Sequence, residues 1–413
     1  MEQRYAESGV PEILLLGGSG FVGSALGEKF VTLGWRVRIV TRSIRPFQTS
    51  FPCEQFVWDG KAIPLEAIEG VTAVINLAGQ PIFDHSWTQS YRRLVLDSRR
   101  DAGRALRKAM ETALVKPKVV LQISGTDYYG MHPRAGECDE ASEAGSDFMA
   151  LVGKVGEEPV EGLDKYTRLC IVRMGLVLGW EGGGLPKLWD VYASGCGGVL
   201  GNGSQWLNWV HVDDITVFCA EAVGNEQYRG IYNLVAPANA TNRELHLRFC
   251  AHTPSLKFLA VPKFYLKTLM GQRAHFLLQA PKVNTPRAEK HGFTYQYPNL
   301  ESAFKQFMAE RTHRSAHYKK VKQWLPKAPS ELSIAYNSTT SFESHFFYGL
   351  WHHQVELHSL GQGTLIEDRM EYKLRLFPMG QAMLWYMRAR LNKKLAERRV
   401  ELAKSVGSVS LST

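Results

Sequence analysis

The stretch that decides the fold is residues 12–23, EILLLGGSGFVG. It begins with an apolar run typical of a buried parallel strand, which ends at once in glycines. These fit G-x-G-x-x-G starting from Gly18, or G-x-x-G-x-x-G starting from Gly17. Such a turn between strand and helix brings backbone N–H groups and the positive end of the helix dipole to a pyrophosphate. The residues predicted to contact a dinucleotide are Gly17, Gly18, Ser19, Gly20, Phe21, Val22 and Gly23.

Outward from this turn, the chain alternates strands and helices. Apolar spacing predicts helices over residues 21–33 and 91–114. Further strands are predicted at 35–41, 71–77, 119–124 and 169–178. This alternation predicts an α/β fold of the Rossmann type, with a doubly wound parallel sheet. The alternative for the glycine motif is a turn without a ligand, and the surrounding βαβ unit argues against it.

Changes of pattern divide the chain into three predicted parts. Residues 1–235 form an NAD(P)-binding Rossmann domain, residues 236–312 a small, mostly helical domain on the substrate side, and residues 313–413 a basic tail. The tail has 15 Lys and Arg against 8 Asp and Glu, and hence +7 of the net charge of +9. The charge of the main body therefore does not indicate a nucleic-acid partner.

Composition excludes several classes of protein. The chain has no apolar run of about 18 residues and no secretory signal pattern, so we expect a cytoplasmic protein without stable membrane insertion. The six cysteines have neither C-x-x-C spacing nor a metal-ligand spacing with histidines. We expect them to be small buried side chains in a reducing compartment, and we predict no metal site.

The residues at the end of the second strand indicate which nicotinamide cofactor binds. An NAD site usually places Asp or Glu there to bind the ribose 2′-hydroxyl, but this sequence has Thr41 and Arg42. Arg42, together with Arg38 or Ser43, could pair with a 2′-phosphate. We therefore predict NADP(H) in preference to NAD(H), the alternative being that Arg42 is a solvated surface charge.

Two further segments are predicted to line the cofactor site. Residues 76–79, NLAG, end a strand, and the small Ala78-Gly79 pair that follows Leu77 lets the cofactor pass close to the backbone. Asp59 lies after the second strand, where it could contact the adenine. It could equally be a turn residue, and the sequence does not decide between the two.

These motifs, with others further along, resemble a known family. Residues 12–308 are similar to the epimerase-like atypical short-chain dehydrogenases/reductases of the bacterial YfcH type, including their small C-terminal domain. The resemblance implies an extended Rossmann enzyme fold and no particular substrate. The matching motifs are GGSGFVG (17–23), NLAG (76–79), Trp87 with SRR (98–100), SGTDYYG (124–130), DFMA (147–150), RMGLVLG (173–179), GCGGVLGNGSQWLNWVHVDD (195–214), and Pro286 with GFTYQYP (292–298).

Membership of the wider superfamily implies a catalytic Ser, Tyr and Lys, the last two lying four residues apart on one helix face. Here Ala150 stands four residues before Lys154, so the usual tyrosine is missing. The catalytic candidates are Ser124 at a strand end, Tyr128 or Tyr129 as the phenol, and Lys154 as a ribose ligand. The alternative is that both tyrosines only line the pocket wall and that Lys154 is solvated.

Substrate contacts are expected from the long glycine- and tryptophan-containing segment. Gln205 and Trp206 have the polar and aromatic character that suits a small polar ligand. Arg173 could meet a substrate anion or stabilise a loop, and we include it among the substrate candidates.

The same segment ends in His211, Asp213 and Asp214, a set that resembles a metal or acid–base cluster. On an extended segment, His211 and Asp213 would share one face, and Asp214 would lie on the other. No second group of ligands accompanies them. We therefore interpret these residues as a structural hydrogen-bonding motif.

The tail has a pattern of its own. Residues 351–376 alternate in a way that predicts two strands joined by a glycine-rich turn at 361–363, and a long basic helix is predicted after Pro378. This piece resembles the second half of a START-like (helix-grip) domain, whose first half is absent or reduced. The alternative is that the basic helix rests on an anionic membrane.

Two functions are consistent with these features. The first is an NADP(H)-dependent oxidoreductase or epimerase acting on a small polar, nucleotide-sugar-like substrate, in which the cofactor carries the hydride. The second is a non-catalytic dinucleotide-binding regulatory protein, related to cell division, which the missing tyrosine and the added tail favour. The sequence does not indicate the oligomeric state.

Overall fold

The computed structural model describes residues 9–42, 49–131, 136–271, 273–311, 317–325, 340–342, 348–360 and 362–374. The strands are β1 (Glu12–Leu16), β2 (Arg36–Thr41), β3 (Glu54–Val57), β4 (Ala73–Asn76), β5 (Val119–Gly125), β6 (Arg168–Met174), β7 (Leu176–Gly179), β8 (Gly182–Gly183), β9 (Val199–Leu200), β10 (Trp206–Leu207), β11 (Trp209–His211), β12 (Gly230–Leu234), β13 (Ala240–Thr241), β14 (Ala260–Val261), β15 (His317–Leu325), β16 (Thr340–Phe342), β17 (Tyr348–Leu360) and β18 (Gly363–Leu374). The helices are α1 (Phe21–Thr32), α2 (Leu65–Ile68), α3 (Gln89–Thr112), α4 (Phe148–Glu157), α5 (Leu185–Ala193), α6 (Val212–Gly224), α7 (Asn242–His252), α8 (Lys263–Met270), α9 (Arg273–Leu278), α10 (Pro286–Lys290) and α11 (Leu300–Ala309).

A seven-stranded sheet positions the site. Its order is β12-β6-β5-β4-β1-β2-β3, and all neighbouring strands are parallel. In β1, Leu16 lies opposite Val40 on one side and Asn76 on the other. The strand order reverses at β1, and ligands of such sheets bind in the crevice beyond the carboxyl ends at that point. The predicted doubly wound α/β fold is confirmed.

Both faces of β1 are covered by helices. Ile13 and Leu15 belong to one apolar cluster, which includes side chains of α1 and α6. Leu14 and Leu16 belong to a second cluster, with Leu106 of α3. All four β1 side chains are fully buried, and each such burial stabilises the fold by about 1.5–3 kcal/mol. The unbroken apolar run in the sequence therefore follows from burial on both faces of the sheet.

The prediction of one strand over residues 169–178 is wrong. The segment forms β6 and β7, separated by Gly175, and β7 leaves the main sheet to pair with β11 and β8. A Cβ on Gly175 would lie 2.6 Å from the carbonyl oxygen of Asn208, so this backbone crossing requires glycine. Apolar residues continue across the break, and the pattern therefore shows no sign of it.

The part that follows β12 is mostly helical, with α7 to α11 and the short strands β13 and β14. Phe249 of α7 and Phe304 and Phe307 of α11 pack in one buried cluster with Trp189 of α5. Aromatic packing thus joins the small helical part to the segment between β8 and β9.

The helices and the cysteines can be compared with what the composition predicts. No helix in the described part of the chain has the length and apolarity needed to cross a membrane. All six cysteines are free thiols. Cys138, Cys170 and Cys219 are buried as expected, whereas Cys196 is exposed, which contradicts the expectation for that residue.

The described residues of the tail form an antiparallel sheet in the order β15-β18-β17-β16. β17 and β18 are the predicted hairpin, with Leu360 opposite Gly363 at its turn. The predicted helix after Pro378 lies outside the described residues.

Strand β15 was not predicted from the sequence, which indicated only a basic tail over residues 313–413. Lys320 Nζ lies 3.1 Å from a carboxylate oxygen of Glu181, and Lys322 Nζ lies 2.8 Å from one of Glu28 in α1. These acidic partners are far away in sequence, so the pattern of β15 alone cannot reveal them. The pairs bind the tail sheet to α1, through Glu28, and to the turn between β7 and β8, through Glu181.

Candidate active site

The glycine turn between β1 and α1 contains contacts that only glycine permits. Gly17 has a φ of +85°, and a Cβ there would lie 3.1 Å from the carbonyl carbon of Leu77. A Cβ on Gly23 would overlap the carbonyl oxygen of Gly17. The Gly20 N–H closes the turn by donating to that same oxygen at 3.0 Å. Backbone packing therefore keeps the turn free of side chains, as close approach to a ligand requires.

The start of α1 suits a diphosphate. Gly20 caps the helix without a side-chain hydrogen bond, and the first turn carries no acidic residue. Hydrogen bonding back to Gly20 begins only with the N–H of Ser24. Phe21, Val22 and Gly23 line a cavity, and their N–H groups precede the first helical hydrogen bond. Such N–H groups, together with the helix dipole, favour an anion.

A cavity of about 860 Å³ lies beside the turn, beyond the end of β2. Its size is that of a site for a sizeable small molecule. Arg42 follows β2 directly and is exposed. The predicted cofactor residues in its wall are Gly17, Ser19, Gly20, Thr41, Arg42, Asp59, Leu77, Ala78 and Gly79.

Arg38 does not assist Arg42, contrary to one option raised from the sequence. Its side chain is buried and pairs with the carboxylate of Glu12. It also donates to the backbone carbonyls of Glu66 and Glu69, each at 3.0 Å. Arg38 thus stabilises the strand, and the other residue considered, Ser43, lies outside the described part of the chain.

Asp59 lines the larger cavity, but its carboxylate is engaged locally. Oδ1 accepts hydrogen bonds from the backbone N–H groups of Lys61 at 2.7 Å and Ala62 at 2.9 Å. These bonds lower the pKa of Asp59 and hold the chain in a turn. Of the two interpretations from the sequence, the contacts favour the turn residue.

A second cavity, of about 370 Å³, adjoins the first, because Gly17, Gly20 and residues 77–79 line both. It lies over the carboxyl end of β5, where Ser124 and Asp127 reach its wall. Arg99 of α3 lines it as well. The wall on the side of α4 consists of Val152, Gly153 and Gly156.

Ser124 belongs to a buried polar network. Its Oγ donates to Glu157 Oε1 at 2.6 Å. The same carboxylate accepts two bonds from Arg173, from Nε at 2.9 Å and Nη2 at 2.7 Å. Arg173 Nη1 donates to the Tyr129 hydroxyl at 3.0 Å, and that hydroxyl donates to Asn233 Oδ1 at 2.7 Å. The network fixes the Ser124 hydroxyl at the edge of the sheet.

Asp127 is a site residue that the sequence argument did not single out. It lies in the 3-10 turn Thr126–Tyr129, directly after β5. Burial raises the pKa of its carboxyl group to about 7, although the positive charge of Arg99 acts in the opposite direction. The signal that could have revealed it is its place in the SGTDYYG motif, two residues beyond the end of a parallel strand.

Comparison with known proteins agrees with this arrangement. A model of the NAD dependent epimerase/dehydratase family matches residues 13–234, which is more than half of the chain. The chain belongs to the NAD dependent epimerase/dehydratase family. A second model, described as a domain of unknown function (DUF1731), matches residues 261–307.

Named members of the epimerase family are similar over most of the chain. The SDR39U1 homolog of Arabidopsis thaliana, described as chloroplastic, is 31% identical over 306 residues, which is 72% of this chain and 86% of that protein. Epimerase family protein SDR39U1 of Homo sapiens is 31% identical over 301 residues, which is 72% and 99% of the two chains. YfhF of Bacillus subtilis is 28% identical over 301 residues, which is 72% and 98%.

Solved structures give the same result for the fold. The human SDR39U1 (isoform2) structure with NADPH superimposes with a TM-score of 0.66 at 30% identity, covering 73% of this chain and all of that one. MoeE5 in complex with UDP-glucuronic acid and NAD has a TM-score of 0.55 at 17% identity, covering 71% and 96%. At that identity, the second likeness concerns the fold alone.

Tyr129 and Tyr128, the two tyrosines considered as the catalytic phenol, both contact Arg173. The Tyr129 side chain is buried, and its burial raises the pKa of the phenol to about 12, although Arg173 acts in the opposite direction. The centre of the Tyr128 ring lies 3.4 Å from the guanidinium carbon of Arg173.

The guanidinium group of Arg173 hydrogen-bonds to Glu157 and Tyr129. The geometry therefore contradicts a substrate-anion role for Arg173 and favours the stabilising role.

Lys154 does not face the cavity. It is exposed, whereas the neighbouring positions Val152, Gly153 and Gly156 form the cavity wall. A helix turns by about 100° per residue, so the side of α4 that carries Lys154 points away from the wall. The expectation that Lys154 binds the nicotinamide ribose is therefore contradicted, and the solvated alternative fits.

Gln205 and Trp206 lie away from both cavity walls as far as these are described. Gln205 Nε2 donates to the carbonyls of Leu200 and Leu277, at 3.1 and 2.8 Å. The Trp206 ring lies 5.2 Å from Lys282 Nζ. These contacts join residues 205–206 to Leu200 of β9, to Leu277 of α9 and to Lys282, so the geometry gives Gln205 and Trp206 a structural role in place of the expected substrate contact.

His211, Asp213 and Asp214 form a helix start, not the extended segment assumed from the sequence. β11 ends at His211, whose Nδ1 accepts the Asp213 N–H at 3.1 Å and so caps α6. Asp214 accepts the Gln296 N–H at 2.6 Å and the Tyr297 N–H at 3.3 Å. The interpretation as a structural hydrogen-bonding motif fits these contacts.

Proposed function

We propose that this chain is an NADPH-dependent oxidoreductase or epimerase acting on a small polar substrate that carries hydroxyl groups, such as a sugar nucleotide. The observation that carries the proposal is the continuous cleft that runs from Arg42, across the glycine turn, to Ser124. The NADPH in the human SDR39U1 structure supports the choice of cofactor. NAD(H) is the alternative cofactor.

The two cavities divide the cofactor between them in this proposal. The larger one takes the adenosine half, with Arg42 on the 2′-phosphate. The N–H groups at the start of α1 take the pyrophosphate. The smaller cavity takes the nicotinamide beside Ser124. When bound, NADPH supplies the hydride, and the chain supplies orientation and proton exchange.

The role of Ser124 follows from its hydrogen bond. A serine hydroxyl has one proton, and Ser124 donates it to Glu157. Toward the cavity, the oxygen therefore presents lone pairs and can accept a bond from a substrate hydroxyl. This favours a substrate rich in hydroxyl groups, and it makes Ser124 a substrate-positioning residue.

A non-catalytic regulatory protein is the second candidate, with a role related to cell division as its particular form. The observation that favours it is α4, which presents Val152, Gly153 and Gly156 to the cavity and no tyrosine or lysine. In that case the cofactor would act as a ligand that stabilises one state of the protein.

Two measurements decide between these functions. Calorimetric titration with NADPH and NADH is expected to give tighter binding of NADPH. Incubation with NADPH and a panel of aldehydes, ketones, quinones and sugar nucleotides is expected to oxidise the cofactor. Tight binding with an inert panel would favour the regulatory function, and absence of binding would overturn both.

The finer assignments belong to the same proposal. We propose the division into residues 1–235, 236–312 and 313–413, a relation to the YfcH type, and a cytoplasmic location. For the tail we propose a partial helix-grip sheet, which the antiparallel order β15-β18-β17-β16 supports. Limited proteolysis at the two boundaries, followed by mass spectrometry, tests the division.

A further inference from the structure

The wall of the smaller cavity has two ionisable groups from different elements, Arg99 of α3 and Asp127 of the turn after β5. A Cβ on Gly79 would lie 3.0 Å from the guanidinium carbon of Arg99, so this group lies against the cofactor-binding loop. A Cβ on Gly125 would lie 3.3 Å from Asp127 Oδ2, so this carboxyl lies over the end of β5. Both residues line the cavity. An acid and a cation thus face the space assigned above to the nicotinamide and the substrate.

Asp127 differs from the neighbouring carboxyl groups of Glu157 and Asp147 because its carboxyl oxygens can accept hydrogen bonds from a ligand. Glu157 is held by Arg173 and Ser124. Asp147 accepts the N–H groups of Met149 and Ala150 at the start of α4 and that of Met131. No residue in the described part of the chain donates a hydrogen bond to the Asp127 carboxyl. It is therefore the acid of this cavity that can bond to a ligand.

The charges around Asp127 favour exchange of its proton near neutrality. Arg99 from α3 and Asp147 from the start of α4 act on it with opposite signs, and burial is the largest influence. The resulting pKa of about 7 leaves both forms populated at neutral pH. A general acid works best when its pKa lies near the working pH.

We propose that Asp127 takes the place of the missing tyrosine and exchanges a proton with the substrate oxygen, while Arg99 acts as a positioning residue that tunes it. The inference rests on the proposed reductase function. In reduction, hydride forms a new C–H bond at the carbonyl carbon as NADPH becomes NADP⁺. The carbonyl π pair moves to oxygen, which takes the proton of the Asp127 carboxylic acid. Solvent then reprotonates the carboxylate.

Ser124 cannot perform this step as it stands, because its only proton is directed at Glu157. Tyr129 is likewise occupied, since its hydroxyl bonds to Asn233 and Arg173. Among the described residues of the smaller cavity wall, Asp127 combines a titratable proton with oxygens that no neighbour occupies.

The first test needs no substrate. The nicotinamide ring of NADP⁺ is positively charged and that of NADPH is neutral, whereas their phosphates are the same. The ratio of the two dissociation constants therefore cancels phosphate titration and reports charge near the ring. We expect the affinity for NADP⁺, relative to that for NADPH, to rise about tenfold between about pH 5.5 and about pH 8.5. The reason is that Asp127 becomes a carboxylate, which attracts the positively charged ring.

In Asp127→Asn, this ratio should stay constant with pH, while the exposed control Asp164→Asn should behave like the wild type. An unchanged pH dependence in Asp127→Asn, or a constant ratio in the wild type, would overturn the placement of Asp127. Failure of both cofactors to bind would instead overturn the proposed function.

The second test uses turnover of phenanthrenequinone or another probe carbonyl from the panel. We expect Asp127→Asn to lower kcat by about 10²–10⁴-fold, Asp127→Glu to recover part of it, and NADPH affinity to change by less than about twofold. Wild-type kcat should fall as pH rises through about 7. Arg99→Gln should move that fall to higher pH, because the lost positive charge no longer favours the carboxylate.

The outcomes separate the two proposals. Turnover that persists in Asp127→Asn with an unchanged pH profile overturns the role of Asp127 and leaves the reductase function standing. A fully inert panel, with NADPH still bound, overturns the reductase function and the catalytic role of Asp127 together.

Discussion

The buried pair of Glu157 and Arg173 provides a quantitative test of the described network. The two side chains are 6% and 2% exposed, and their closest contact is 2.7 Å. Glu157→Gln keeps the shape of the side chain but removes its charge and turns one acceptor into a donor. Arg173 then remains buried with an uncompensated charge. Breaking a buried pair on one side costs about 3–5 kcal/mol, so we expect the free energy of unfolding to fall by about that amount.

Urea unfolding of the full chain, followed by tryptophan fluorescence, measures this loss. The matched control is Lys187→Met, because Lys187 pairs with Asp84 at 3.2 Å on an exposed surface. An exposed pair of this kind is worth less than about 1 kcal/mol. The double variant Glu157→Leu with Arg173→Met should lose less free energy of unfolding than the sum of the losses in Glu157→Leu and in Arg173→Met alone. The reason is that neither charge remains in the double variant.

The result that would refute this reasoning is a loss of less than about 1 kcal/mol in Glu157→Gln at an unchanged m-value. That outcome would mean that water or a rearranged side chain compensates Arg173. Additive effects in the double variant would also contradict a direct interaction between the two residues.

Three further predictions concern the cofactor turn, the cofactor choice and the tail. Gly23→Ala should weaken NADPH binding by more than about tenfold in calorimetry, because the new Cβ overlaps the Gly17 carbonyl oxygen. Arg42→Ala should weaken NADPH binding by about tenfold and leave NADH unchanged, since a charge-assisted bond to the 2′-phosphate is lost; equal losses for both cofactors would contradict this. Burial would raise the pKa of Glu181, but the tail lysines, Lys322 foremost, lower it to about 2. Its stabilising contribution is therefore complete above about pH 5 and lost as pH falls toward 2, and in Glu181→Gln the melting temperature should depend less on pH over that range.

The parts of the fold that were predictable are those in which local pattern and burial agree. The β1 run is apolar because helices cover both of its faces, and the glycines after it are required by backbone contacts. The β17–β18 hairpin followed from alternation and a glycine turn. By contrast, β15 is stabilised by Glu28 and Glu181, whose positions in space are not visible in the sequence of the tail.

The site was less predictable than the fold, for a related reason. The turn residues between strand and helix are contiguous in sequence, so one motif reveals them. Lys154 was chosen by its distance from Ala150 in sequence, but the rotation of α4 places it outside the cavity. Arg99 and Asp127 belong to α3 and to the turn after β5, and only the folded sheet brings them to one cavity.

The packing of α4 against the turn after β5 supports the proposed role of Asp127. On α4, a Cβ at Gly153 would lie 2.9 Å from the Cα of Tyr128, so the helix packs directly against the 3-10 turn after β5. A larger side chain at Gly153, on the side of α4 that lines the smaller cavity, would have to displace this turn. The turn that occupies the space carries Asp127, whose carboxyl reaches the same cavity. Close packing of helix and turn therefore leaves no room for a larger side chain at Gly153, and we propose that Asp127 in the turn supplies the proton donor instead.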